Sequence, residues 1–163
     1  MLTAYLDTCI VSGLAKEDLS PDELEALRRI LEERKQGNVS LVTSQVAKEE
    51  IERIPEEHRS KHEIIYNLLS DVPVARAFRT DPSLPLMGVG GGVRLHPILA
   101  KLNALLPDEA DARHIYQAAR NSVQYFVTTD ARTILAHWER IEDICQVKAL
   151  SPQEFVKIIS HAV

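Results

Sequence analysis

The pattern of this chain predicts an α/β domain: a three-layer α/β/α sandwich around a central parallel sheet of four to five strands, spanning residues 1–163 as a single unit. Three observations lead there. Short apolar runs that suit buried strands alternate with longer segments of helical period, an order that implies parallel pairing. Strong helix starts stand between those runs. Two of the strands end in aspartate, as strands do when they deliver side chains to the crevice of such a sheet.

Residues 3–7 (Thr-Ala-Tyr-Leu-Asp) read as a buried strand, succeeded by an apolar helix to about Ala15. Ser20-Pro21-Asp22-Glu23 combines a capping serine, a proline at the first helical position and the glutamate of a capping box. The helix it opens runs to about Gln36, with Leu24, Leu27, Ile30 and Leu31 on one face and Gly37 as its stop. Val39–Thr43 is the second strand, and Ser44 caps a helix reaching Ile54. Pro55 interrupts, and a further helix covers roughly 57–70. Val72-Pro73-Val74 is a weak strand, because proline lacks a ladder donor. The stretch 79–97 holds Pro82, Pro85, Pro97 and Gly88-Val89-Gly90-Gly91-Gly92, and reads as a mobile Pro/Gly-rich loop insertion. Two helices come next, from about Pro97 to Leu105 and over 108–121. Val123–Thr128 is a strand, a short helix comes after Asp130, and Gln146–Ala149 is the last strand. Ser151-Pro152-Gln153-Glu154 repeats the cap grammar and opens the final helix.

Composition narrows the function. A hydrophobic fraction of 45% with 26% charged residues is that of an ordinary globular chain. The net charge of −5 argues mildly against a nucleic-acid binder, although bound cations would offset it locally. No run approaches ~18 apolar residues, so no membrane span is expected. The start lacks a signal-type core, and a cytoplasmic location is expected. Cys9 and Cys145, the only cysteines, sit among apolar residues and read as buried free thiols, with no metal-type spacing.

Chemistry is concentrated in four acids. Asp7 ends the first strand, Glu50 lies in the helix after Ser44, Asp111 is in the first turn of its helix, and Asp130 ends Val127-Thr128-Thr129-Asp130. Carboxylates gathered at one crevice repel unless a cation joins them, which points to a divalent metal site and phosphodiester chemistry. Three of them have a plainer reading: Asp7 as a helix cap, Asp111 as compensation of a helix dipole, Asp130 as a cap for the helix after it. Asp130 is also open to ligation through water. Glu50 shares the inward stripe of its helix with Val46 and Ile54, whereas Glu49 lines up with the solvated Glu52, Arg53 and Glu56. Asp108 is a cap or a minor ligand candidate. Thr8 is placed to assist Asp7 through its hydroxyl. Thr128 and Thr129 read as water or phosphate holders or as ordinary strand and turn residues. His114 reads as structural more readily than as a base. The glycine run lacks the ending of a nucleotide loop. Arg113, Arg120 and Arg132 are either phosphate contacts or solvated charges.

Leu6-Asp7-Thr8, Ser44 through Glu50-Ile51, Asp111-Ala112-Arg113-His114-Ile115, Val127-Thr128-Thr129-Asp130 and the closing Ser151-Pro152-Gln153-Glu154-Phe155 together resemble the PIN domain. The resemblance implies a metal-dependent endoribonuclease, often the toxin of a bacterial toxin–antitoxin pair, with Asp7, Glu50, Asp111 and Asp130 as the catalytic and metal-binding acids. It also implies an antitoxin partner and a homodimer. The expected cofactor is Mg²⁺ or Mn²⁺, held by carboxylates and waters, with water as nucleophile and 5′-phosphate and 3′-hydroxyl ends. Two alternatives stand beside it: a non-catalytic PIN-like module binding RNA or protein, and an RNA-processing nuclease that is not a toxin. The 79–97 stretch departs from the simplest family pattern. A haloacid-dehalogenase-like phosphatase is disfavoured by Cys9, which stands where its second aspartate would be. A receiver domain is disfavoured because the first strand offers only Asp7.

Overall fold

Four parallel strands order the molecule. The computed structural model describes residues 1–69, 86–87, 93–94 and 96–162. Strand β1 (Leu2–Leu6) is flanked by β2 (Val39–Val42) on one side and β5 (Tyr125–Val127) on the other, and β5 pairs in turn with β6 (Lys148–Leu150). All three pairings are parallel, with Tyr5 opposite both Val42 and Phe126 and Val127 opposite Leu150. Helices separate the strands: α1 (Thr8–Lys16), α2 (Pro21–Lys35), α3 (Gln45–Glu52), α4 (Glu56–Leu69), α5 (Pro97–Leu105), α6 (Glu109–Arg120), α7 (Trp138–Cys145) and α8 (Pro152–Ala162). No described helix is long and apolar enough to cross a membrane.

The period-two alternation of the strands divides the core into two layers. Ala4, Leu6, Val127 and Leu150 face a cluster completed by Ile10, Ile30 and Phe155 from α1, α2 and α8. Tyr5, Phe126 and Ala149 point the other way, toward Leu102, Ile115 and Ile141 from α5, α6 and α7. The sandwich expected from the alternation of elements is therefore present, with a four-stranded main sheet.

Both Ser-Pro-x-Glu starts form the expected caps. Ser20 accepts from the Glu23 backbone while Glu23 accepts from the Ser20 backbone (2.8 Å), and Ser151 and Glu154 repeat the exchange. Gly37, at φ 81°, closes α2 in the left-handed region and turns the chain toward β2.

Four expectations need correction. Leu24 is 44% exposed and not packed, whereas Ala26 and Glu33 are buried. The buried stripe of α2 centres on Ile30, and Leu24, six residues before it, is turned about 120° away. Glu33 tolerates burial because Asn38 donates to it (2.8 Å) and Arg29 pairs with it (3.0 Å). The 79–97 stretch is not all loop: β3 (Leu86–Met87) and β4 (Val93–Arg94) form an antiparallel pair, too short to carry a readable period. The short helix expected after Asp130 is instead a turn, a 3₁₀ segment (Leu135–His137) and then α7. Cys9 and Cys145 are free but only half-buried. The expected strand 72–74 and the glycine run 88–92 lie outside the described residues.

Replacing the Ser20 cap tests the local grammar directly. Ser20→Ala should lower the unfolding free energy by about 1 kcal/mol, read from the urea midpoint at constant slope. An unchanged midpoint would mean the capping box contributes nothing.

Candidate functional site

The order β2-β1-β5-β6 creates a switch point. From β1 the chain goes first to one side, to β2, and later to the other, to β5 and β6. Connections diverge above the carboxyl ends of β1 and β5, leaving a crevice there. Asp7 comes directly after β1, and Thr128, Thr129 and Asp130 come directly after β5. Topology alone thus brings the two strand-end aspartates to one place.

Asp7 is buried and stands at the N-cap position of α1, yet its side chain makes no cap hydrogen bond. The Thr128 hydroxyl (2.7 Å) and the Cys9 thiol (3.0 Å) both donate to its Oδ2. The capping alternative for Asp7 is therefore not what the carboxylate does. Burial, with the Asp7 charge adding to it, pushes the Cys9 thiol up to about 12, so the sulfur stays protonated at neutral pH.

Glu50 is set by a buried chain of polar groups. Its Oε2 lies 2.9 Å from Nε2 of His114 and accepts from the Thr8 hydroxyl at 2.6 Å. His114, 1% exposed, has its Nδ1 2.6 Å from the Tyr5 hydroxyl, which lies 2.6 Å from Ser44 Oγ. Ser44 caps α3 by accepting from the Val46 backbone. In the tautomer that donates Nε2–H to Glu50, Nδ1 accepts from Tyr5 and Tyr5 accepts from Ser44. The start of α3 and Glu50 farther along the same helix are therefore tied to one histidine of α6. Burial works against charge on His114, but its bond to Glu50 and the charges of Asp7, Glu50 and Asp111 raise its affinity for a proton above the ordinary value. Burial likewise opposes ionisation of Glu50, but His114 and Thr8 hold its carboxyl below the usual range.

Asp111, in the first turn of α6, is the acid whose charged form the crevice opposes most visibly. Partial burial, then the charges of Asp7, Asp108 and Asp130, push its carboxyl up to about 6, with His114 opposing. Asp108 is the α6 cap, accepting from the Ala110 backbone at 2.8 Å. Asp130 serves its own turn: Oδ1 accepts from the backbones of Arg132 (3.0 Å) and Thr133 (2.9 Å), and Oδ2 accepts from the Thr133 hydroxyl. Those bonds, with Arg132 nearby, outweigh burial and hold Asp130 below the usual range. Thr133 also reaches Asp111 at 3.4 Å, bridging the two acids.

The four acids thus share one electrostatic environment, and the donor set is entirely hard oxygen, suited to Mg²⁺ or Mn²⁺. Among the described residues, however, no three His, Cys, Asp or Glu side chains converge closely enough to hold one ion. Mg²⁺ is commonly held by one or two carboxylates plus waters, so the donor chemistry fits while no ready-made protein cage surrounds it.

Tyr5 and Thr133 do not stand out in the sequence as site residues, and Ser44 stands out as a helix cap and motif start but not as a partner of Tyr5. The one signal for Tyr5 is a polar tip on a strand residue otherwise suited to full burial. Glu49, expected in solvent, is 34% exposed and pairs with Arg113 (3.6 Å), so both line the rim beside Glu50. His114 is not free to act as a base, since both its nitrogens are engaged. No protein-family model, curated protein or solved structure matches this chain.

Two measurements probe these contacts. Between the proton affinity of an unfolded aspartate (~4) and that of folded Asp111 (about 6), the folded state binds more protons, so Asp111 makes stability fall as pH rises through that window. In chelator, Asp111→Asn should remove that fall and raise the melting temperature at pH 7 relative to wild type; parallel pH profiles would count against it. Tyr5→Phe should cost about 1–3 kcal/mol in denaturant unfolding, because His114 and Ser44 lose a buried partner.

Proposed function

We propose that the chain is a metal-dependent endoribonuclease of the PIN type, hydrolysing RNA phosphodiester bonds with Asp7, Glu50, Asp111 and Asp130 as its acidic centre. The observation that carries the reading is the gathering of Asp7, Asp111 and Asp130, from three separate elements, at the switch point of the sheet, where Asp111 is raised first by partial burial and then by the charges of Asp7, Asp108 and Asp130. That concentration of like charge costs stability unless a cation joins it, a cost a purely structural crevice has no reason to carry. The order of acidic motifs that resembles the PIN domain supports the same choice, and RNA as substrate rests on that resemblance.

Each residue has a definite task in this reading. Thr128 fixes the Asp7 carboxylate by holding Oδ2. His114 and Thr8 fix Glu50. Thr133 keeps Asp130 and Asp111 in register. A bound Mg²⁺ or Mn²⁺ supplies charge neutralisation at the attacked phosphate and a more acidic water. The Cys9 thiol, which burial keeps protonated, has no part as nucleophile in this reading. Attack by water on phosphorus, with the 3′ oxygen leaving, yields a 5′-phosphate and a 3′-hydroxyl. A toxin role, an antitoxin partner and a homodimer are carried by the family resemblance alone.

A second reading, a non-catalytic PIN-like module that binds RNA or protein, is favoured by the lack of a ready three-ligand cluster among the described residues. One experiment separates the two. Wild type should cleave a mixed RNA panel in Mg²⁺ or Mn²⁺ and stop in EDTA, whereas Asp7→Asn should lose at least about 100-fold in rate while its melting curve shows an intact fold. Equal cleavage in EDTA, or by the variant, would sink the nuclease reading.

A further inference from the structure

One edge of the four-stranded sheet carries a second feature. Strand β6 ends the order β2-β1-β5-β6, and beside it lies an open hollow of about 650 Å³, within the size range of ligand sites (about 300–1,000 Å³). Leu135, Trp138, Lys148, Leu150, Ser151 and Lys157 line it. Trp138 is the only tryptophan of the chain, and it stands 41% exposed at the start of α7, with no ring contact to a described aromatic residue. Lys148 and Lys157 make no ion pair with any described residue. The nearby acid, Glu154, has Oε2 engaged by the Ser151 backbone (2.8 Å) and hydroxyl (2.9 Å). In a chain of net charge −5, this lining brings an exposed aromatic residue and two lysines together with a single acid.

Backbone hydrogen bonds link the lining of this hollow to the segment after β5 that carries Asp130. The backbone of Leu135 donates to the carbonyl of Asp130 (3.0 Å), and the backbone of Thr128 donates to the carbonyl of Leu150 (3.0 Å). Two residues of its lining are therefore one hydrogen bond from residues of the candidate site, at the same end of the sheet. Aromatic side chains combined with cations in one groove are how proteins hold single-stranded nucleic acid, with bases stacked on the rings and phosphates met by the charges. We propose that this hollow binds the single-stranded RNA segment next to the cleaved phosphodiester, with Trp138 as the stacking platform and Lys148 and Lys157 as phosphate contacts. This rests on the ribonuclease reading and extends it to the substrate's conformation: the strand must be unpaired to lay a base on the indole.

The single tryptophan reports on the question directly. In EDTA, which prevents cleavage, short unpaired RNA oligonucleotides should change the indole fluorescence saturably. Trp138→Ala should weaken RNA binding, measured by anisotropy of a labelled oligonucleotide, by at least about 5-fold, and Trp138→Phe should retain most of the affinity. Lys148→Ala and Lys157→Ala should each lower the slope of log affinity against log salt by about 0.7. Cleavage of RNA by wild type with no fluorescence change and an unaltered KM in Trp138→Ala would overturn this subsite and leave the nuclease reading standing. Failure of wild type to bind or cleave any RNA would overturn both. Fluorescence that changes with protein concentration in the absence of RNA, and is insensitive to RNA, would make the edge a contact between copies and overturn the subsite.

Discussion

The Tyr5 hydroxyl is the constraint from which the site is built. A tyrosine at the centre of a parallel sheet buries its ring at low cost but must satisfy its oxygen. Tyr5 stacks on Phe126 (5.1 Å between ring centroids), and its hydroxyl meets Ser44 and His114. Those two partners belong to the start of α3 and the middle of α6. Satisfying one buried oxygen therefore positions two helices against β1, and with them Glu50 and Asp111. Loosening that bond would leave the carboxylates on their elements but release the elements from one another.

Sheet topology supplies the second constraint. Because β1 lies between β2 and β5, the chain must leave it in both directions, and the crevice between the diverging connections receives the residues at the carboxyl ends of β1 and β5. Asp7 and Asp130 occupy those positions. The repulsion this creates is distributed unevenly. Asp130 is relieved by its own turn and Glu50 by His114, so the excess falls on Asp111. Local hydrogen bonding decides which acid carries the energetic cost of the assembly.

Legibility in the sequence tracks the range of the interaction responsible. The two Ser-Pro-x-Glu starts and the Gly37 stop act within four or five residues, and the structure obeys them. The helical stripe singles out Glu50, and its carboxylate does point inward, to His114. Leu24 defies its stripe because several leucines can define one and only packing selects its centre. Glu49 defies the solvated face because its pair with Arg113 joins two helices far apart in sequence. The β3–β4 pair is invisible in the sequence because strands of two residues have no period to detect.

By itself the sequence determined the α/β class, the alternation of elements, the caps and the set of acids able to meet at the carboxyl end of a parallel sheet. These depend on period and neighbour chemistry, which are local. The tertiary structure alone decided that the Asp7 carboxylate accepts from Thr128 instead of capping α1 with a backbone bond, that His114 is a strut beneath Glu50 and not a free base, and that Asp111 is the acid raised by its surroundings. Those outcomes depend largely on distances between residues far apart in the chain, such as Thr8 to Glu50 and Tyr5 to His114. Such distances are set by packing of the whole chain, because a buried polar group takes whichever partner the fold brings within about 3 Å.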